Sequence, residues 1–230
     1  MLFLFDIDGT LLRRMPPVHR QAICDAALTV YGVRLSADNL GQTAGMTDTA
    51  IIRRALLAAG LTPANIHAGL PAFFSTAADA YEQIVPDDLS AYHTPHAHTI
   101  LEWLAGQQAA LALVTGNIQR IAWAKLRAAG LAHYFACGGF GDEAEAREQL
   151  PPLALERSRT AFSRDFAPEH TYVIGDTPAD VACGAACALR TVAVATGPIH
   201  SVAELRATGA DHVFEDLSGL RTLALGSAQT

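Results

Sequence analysis

Four short apolar runs, each halted by a polar residue or a glycine, restrict this chain to few folds. Residues 2–5 stop at Asp6, and residues 110–114 at Thr115 and Gly116. Residues 171–174 stop at Gly175 and Asp176, and residues 191–194 end near Thr196 and Gly197. Apolar runs without alternation mark strands buried on both faces, hence parallel strands covered by helices. Further short strands are expected at 135–137 and 212–214. Helical patterns fill the gaps: 118–129 closed by Gly130, 152–162, and 178–188 with Thr177 as N-cap and Pro178 in its first turn. Alternation of strand and helix from about residue 110 onward predicts a doubly wound, mainly parallel, Rossmann-like α/β sheet.

The stretch 15–88 breaks the alternation. It holds helical patterns at 18–31 and 47–59 and no convincing strand. The expected organisation is an α/β core of residues 1–14 and 89–230 with an all-helical cap domain, 15–88, inserted into it. Hinges are expected at 13–17 and 85–92, and a frayed tail at 226–230. A length of 230 residues suffices for one core plus such an elaboration.

A formal net charge of -7 disfavours nucleic acid and anionic membranes as partners. No run approaches the roughly 18 apolar residues of a membrane span. The opening MLFLF is too short for a secretory leader and lacks a basic start. Cys24, Cys137, Cys183 and Cys187 form no C-x-x-C pair, so a reduced, cytoplasmic setting is expected. Monomer and homodimer are both compatible with the sequence.

Open α/β sheets bind ligands outside the carboxyl ends of their strands. Asp6, Asp8, Thr115 and Asp176 all fall there, so side-by-side strands would bring them to one spot. Two carboxylates two residues apart suit phosphoryl transfer. One can attack phosphorus, and the other can give a proton to the leaving oxygen and later take one from water. Crowded carboxylates repel a phosphate dianion, which a hard cation with oxygen ligands, Mg²⁺, would correct. Gly9 leaves room for close backbone approach, Thr10 offers a hydroxyl, and Thr115 with the Gly116 amide can hold phosphate oxygens.

These segments resemble the motifs of the haloacid-dehalogenase-like hydrolases, closest to the phosphoglycolate phosphatase-like branch. DIDGT at 6–10 resembles the first motif, LALVTGN around Thr115 the second, and VIGDTPAD at 173–180 the fourth. The helical insert falls where that branch carries its helical cap. The resemblance implies Asp6 as nucleophile and metal ligand, and Asp8 as acid/base with its carbonyl on the metal. It implies Thr115 as a phosphate contact, Asp176 as a metal ligand and Asp180 as support for the metal. Where the family places a lysine before a helix, alignment on PPLALER puts Arg147, which would then face phosphate. Lys125, the chain's single lysine, sits on the helix after the second motif and makes a poor substitute. Gly45, Met46, Thr47 and Asp48 resemble the branch's cap substrate loop. The implied activity is Mg²⁺-dependent hydrolysis of a small phosphorylated metabolite.

Plainer readings compete at several positions. Asp180 could serve only its helix dipole, Arg147 could be a solvated flanking charge, and Thr47 could merely cap a helix. His93, His96 and His98 lack zinc-site spacing, and Cys183 and Cys187 share a helix face as core residues. A phosphomutase shares the first chemical steps. A 2-haloacid dehalogenase shares the fold but normally lacks the second aspartate of DIDGT. A non-catalytic binding protein on the same scaffold is the remaining alternative.

Overall fold

A computed structural model describes residues 1–226. Among the described residues, six strands form one sheet: β1 (Leu2–Phe5), β2 (Ala110–Thr115), β3 (Gly138–Phe140), β4 (Thr171–Gly175), β5 (Arg190–Val194) and β6 (His212–Phe214). Their order is β3-β2-β1-β4-β5-β6 and every pairing is parallel. This is the expected doubly wound sheet. The winding direction reverses at β1, so the ligand crevice of such a sheet lies off the carboxyl ends of β1 and β4.

Register brings the reactive strand ends level. Phe5 lies opposite Leu113 on one side and Ile174 on the other, so Asp6, Thr115 and Asp176 leave the sheet together. Period-two alternation sorts the side chains. Phe3, Phe5, Leu111, Leu113, Tyr172 and Ile174 pack on one face, and Leu2, Leu4, Ala110, Ala112 and Val173 on the other.

Between β1 and β2 lie α1 (Val18–Tyr31), α2 (Ala37–Leu40), α3 (Asp48–Ala58), α4 (Pro63–Ile84) and α5 (Ala97–Gly106). No strand falls at 15–88 among the described residues. Helices α1, α3 and α4 share a hydrophobic cluster built on Ala26, Ile52, Phe73 and Ala77. That cluster extends to Ile118 and to Ile121 and Ala124 of the helix it precedes, α6 (Gln119–Ala128), whose other face carries Ala122 and Leu126 toward the sheet. Helix α6 is thus sandwiched between sheet and insert. The chain closes with α7 (Leu150–Phe162), α8 (Pro178–Ala186), α9 (Val202–Arg206) and α10 (Leu220–Gly226).

Three expectations need correction. The strand expected at 135–137 is displaced to Gly138–Phe140. Phe135 closes a 3-10 turn, and the strand's first two residues are glycines without an apolar signature. A Cβ at Gly139 would collide with the Leu150 backbone, so the glycines permit close contact with α7. Helix α7 starts at Leu150 rather than 152, because Pro151 and Pro152 occupy first-turn positions where no intrahelical N–H is needed. Helix α8 stops at Ala186 rather than 188, where Ala188 turns to φ 54°. The tail expected at 226–230 lies, beyond Gly226, outside the described residues.

Candidate active site

The turn after β1 is fixed from three sides. The Asp6 amide donates to the Ile174 carbonyl at 2.9 Å, extending the β1–β4 ladder by one residue. Leu11 and Leu12 both donate to the Ile7 carbonyl, and Gly9 takes φ +89°. A Cβ at Gly9 would collide with the Asp176 carboxylate, so glycine is required by conformation and by space. Thr196 Oγ1 donates to the Gly9 carbonyl at 2.6 Å, and Thr94 Oγ1 to the Thr10 carbonyl at 2.6 Å. The hydroxyl of Thr10 is fully buried and donates to Asp176 Oδ1 at 3.3 Å. In this structure the Thr10 hydroxyl supports Asp176.

Asp6, Asp176 and Asp180 are all buried, and one carboxylate oxygen from each lies within 4.8 Å of the others. Asp180 also accepts from Thr177 N at 3.1 Å and Thr177 Oγ1 at 2.7 Å, so it caps α8 from inside the cluster. Arg147, in the 3-10 turn before α7, places Nη2 2.5 Å from Asp180 Oδ1 and 3.1 Å from Asp6 Oδ1. It is a buried partner of the cluster and not a solvated flanking charge. Its Nε is buried without a hydrogen-bond partner among the described residues.

This crowding shifts ionisation. Burial pushes the Asp6 carboxyl up to about 6; Arg147 opposes the shift, while Asp180 and Asp8 add to it. Asp176 rises further, to about 8, through burial and then repulsion from Asp6 and Asp180. Desolvation of like charges has this sign. Asp8 differs. Burial pushes it up, but the Lys125 charge and hydrogen bonds from Lys125 and Asn117 outweigh burial and hold it below the usual carboxylate range.

Lys125 is the residue that sequence reasoning dismissed. It is 1% exposed, and its ammonium lies 2.6 and 2.8 Å from the two Asp8 oxygens. Asn117, also missed, donates Nδ2 to Asp8 Oδ2 at 2.8 Å and to Thr115 Oγ1 at 2.7 Å. One signal was available. On α6 the buried positions are Ile121, Ala122, Ala124, Lys125 and Leu126, and a lysine on a buried stripe demands a partner.

The segment 45–48 seats the insert on the strand ends. Gly45 has φ +72° and packs on Ala179, and the Met46 carbonyl presses on Gly116. Thr47 Oγ1 caps α3 by accepting from Ala50 N, and also donates to the Glu145 carbonyl at 2.7 Å. Asp48 donates its amide to the Gly116 carbonyl at 2.7 Å. Its Oδ2 accepts from the Ile118 amide at 2.8 Å and lies 3.0 Å from His19 Nε2. Helix capping and contact with the strand ends therefore coexist here. Asp6, Asp8, Lys125, Arg147 and Asp176 line one side of a cleft of about 460 Å³; His19, Arg20, Met46 and Tyr81 of the insert line the other.

Fold and carboxylate cluster at the switch point define an enzyme of the doubly wound α/β class. The chain belongs to the haloacid dehalogenase-like hydrolases, a family that matches it over residues 1–188. The resemblance of its three motifs is thereby borne out. A phosphoglycolate phosphatase from Rhodobacter capsulatus is 26% identical over 77% of this chain and 76% of its own length. Among solved structures, a hydrolase from Pseudomonas syringae matches with TM-score 0.64 and 21% identity, covering 97% of each chain. A β-phosphoglucomutase from Clostridium difficile matches with TM-score 0.70 and 14% identity, over 100% of this chain and 99% of that one. At such identities the structural matches speak for the fold alone. No helix among the described residues is long and apolar enough to cross a membrane.

Proposed function

We propose that this chain hydrolyses a small phosphomonoester through an aspartyl phosphate on Asp6, with residues 15–88 acting as a cap over the core. One observation carries this reading. Asp6 stands between the Arg147 guanidinium and Asp176, while the neighbouring Asp8 is held apart by Lys125 and Asn117. The two carboxylates of DIDGT therefore sit in different surroundings, as a nucleophile and an acid/base require.

The chemistry balances with these groups. Asp6 forms an O–P bond as the bond from phosphorus to the leaving oxygen breaks, and Asp8, ionised at rest beside Lys125, passes to that oxygen a proton that it takes up from solvent. Water then attacks phosphorus, its proton passes to Asp8, and the Asp6–phosphorus bond breaks to release phosphate. Arg147 neutralises Asp6 as the dianion approaches. Thr115 and Gly116, at the end of β2, would hold phosphate oxygens. The three-carboxylate set is the all-oxygen donor chemistry that Mg²⁺ prefers, so Asp6, Asp176 and Asp180 would hold it. When bound, the ion supplies charge neutralisation for the phosphoryl oxygens. The insert closes the cleft, excludes water and contacts the leaving group through the loop at 45–48. Four free cysteines agree with a reduced, cytoplasmic setting.

The test is a phosphometabolite panel with wild type and Asp6→Asn, each with Mg²⁺ or with chelator. Turnover that needs both Asp6 and Mg²⁺ is expected, and Asp6-independent turnover would refute the proposal. Sugar-phosphate isomerisation, measured alongside, separates hydrolysis from phosphomutase chemistry.

A further inference from the structure

We infer that Lys125 is a positioning residue for Asp8, and that His19 of the insert is one of the partners that aim it. The inference rests on the proposed phosphoryl transfer for its kinetic meaning, but its geometry stands alone.

An ammonium has three N–H donors and accepts nothing. Lys125 Nζ meets acceptors from three separate parts of the chain: the Asp8 carboxylate after β1, Asn117 Oδ1 at 2.5 Å after β2, and His19 Nδ1 at 3.2 Å on α1. Three donors thus match three acceptors, which makes the 1% exposed ammonium tolerable. The match also assigns the His19 tautomer. If Nδ1 accepts from Lys125, the ring hydrogen is on Nε2, which then donates to Asp48 Oδ2 at 3.0 Å. Asp48 in turn accepts from the Ile118 amide at the start of α6, the helix that carries Lys125. The hydrogen bonds therefore close on themselves: α6, Lys125, His19, Asp48, α6.

Two consequences follow. Removing His19 takes away one of three fixed points that aim Lys125, so the ammonium gains freedom and Asp8 loses a defined place. Removing Lys125 leaves Asp8 with Asn117 alone, and its carboxylate, 42% exposed, is free to swing. Neither change touches the contacts of Asp6 with Arg147. Nucleophilic attack and acid/base work should therefore separate.

The experiment is rapid mixing of the Mg²⁺-loaded protein with p-nitrophenyl phosphate, whose good leaving group needs little protonation. For Lys125→Met we expect kcat to fall about 100-fold, the usual scale for misplaced acid/base catalysis. KM should change little. A nitrophenol burst of about one per site should remain, because Asp6 still attacks while hydrolysis of its phosphate stalls. His19→Asn should lower kcat about tenfold, and the double variant should be no worse than Lys125→Met alone. Lys125→Met within twofold of wild type, loss of burst together with turnover, or additive effects of the two substitutions would each overturn the inference. His19 is partly exposed, so its variant carries the test if Lys125→Met does not fold. A crystal structure of either variant supplies a readout independent of turnover. A displaced Asp8 carboxylate supports positioning even if no phosphate ester is hydrolysed, an outcome that sinks only the proposed function; an undisplaced one refutes positioning.

Discussion

Arg147 Nη2 lies 3.1 Å from Asp6 Oδ1, and burial of both groups makes this the one cationic contact on the proposed nucleophile among the described residues. The same nitrogen holds Asp180 at 2.5 Å. Burial works against the guanidinium charge, but Asp180 and Asp6 raise its proton affinity above the ordinary arginine range, so the charge is permanent. Arg147→Met should cost about 3–5 kcal/mol of stability in the metal-free protein, the scale for breaking a buried ion pair. Mg²⁺ should restore part of that loss in thermal melts. Arg147→Lys should keep the charge and lose the fork, with kcat/KM about tenfold below wild type.

Asp176→Asn removes one carboxylate from a set whose members make one another harder to ionise. The metal-free variant should melt higher than metal-free wild type, because a buried repulsion is gone. It should also lose the rise in Tm that Mg²⁺ gives wild type, along with phosphatase activity. Calorimetry with and without Mg²⁺ checks both signs.

The metal-free protein should lose stability as pH rises. Asp176 has a folded value of about 8 and Asp6 of about 6, against an ordinary 3.8. Between 3.8 and those values the folded state binds more protons than the unfolded state, so stability falls with increasing pH. Each group contributes up to about 1.4 kcal/mol per pH unit inside its window and nothing outside it. Denaturant titrations between pH 4 and 8 should show the fall, and Asp176→Asn should flatten it above pH 6.

Gly45→Ala should unseat the insert without touching a reactive group. Its φ of +72° disfavours any side chain, and a Cβ there would strike Ala179. A loss of about 1–3 kcal/mol is expected for the strained backbone alone. Amide exchange at Asp48 and Ile118, whose hydrogen bonds tie insert to core, should quicken more than exchange in β1.

How much of this was readable from the chain depended on the physical signal. β1, β2, β4 and β5 were legible because strands buried on both faces need unbroken apolar runs, and their ends pointed to Asp6, Thr115 and Asp176. β3 was displaced because Gly138 and Gly139 serve packing through the absence of a side chain, which leaves no hydrophobic mark. Helix α4 carries Pro71 in its interior, a signal for interruption that the surrounding packing overrides. The contact of Lys125 with Asp8 was not legible because motif order places residues along the sequence, whereas a side chain on α6 is placed by its helix face. His19 carries no local signature, since its role arises only when α1 meets Lys125, and Asn117, though inside LALVTGN, is tied to Asp8 only by the pairing of β1 with β2.

The pairing of β1 has a bearing on how the molecule is assembled. Leu2 finds its neighbours at Ala110 and Thr171, so the central strand is flanked by segments from distant parts of the chain. During synthesis β1 must stay unpaired until β2 has emerged, and it keeps one open edge until β4 follows. The helices that follow it meet the same delay, because their apolar cluster is completed by Ile118, Ile121 and Ala124. Proteins that shield nascent chains would therefore have their longest task at the segment that ends in Asp6.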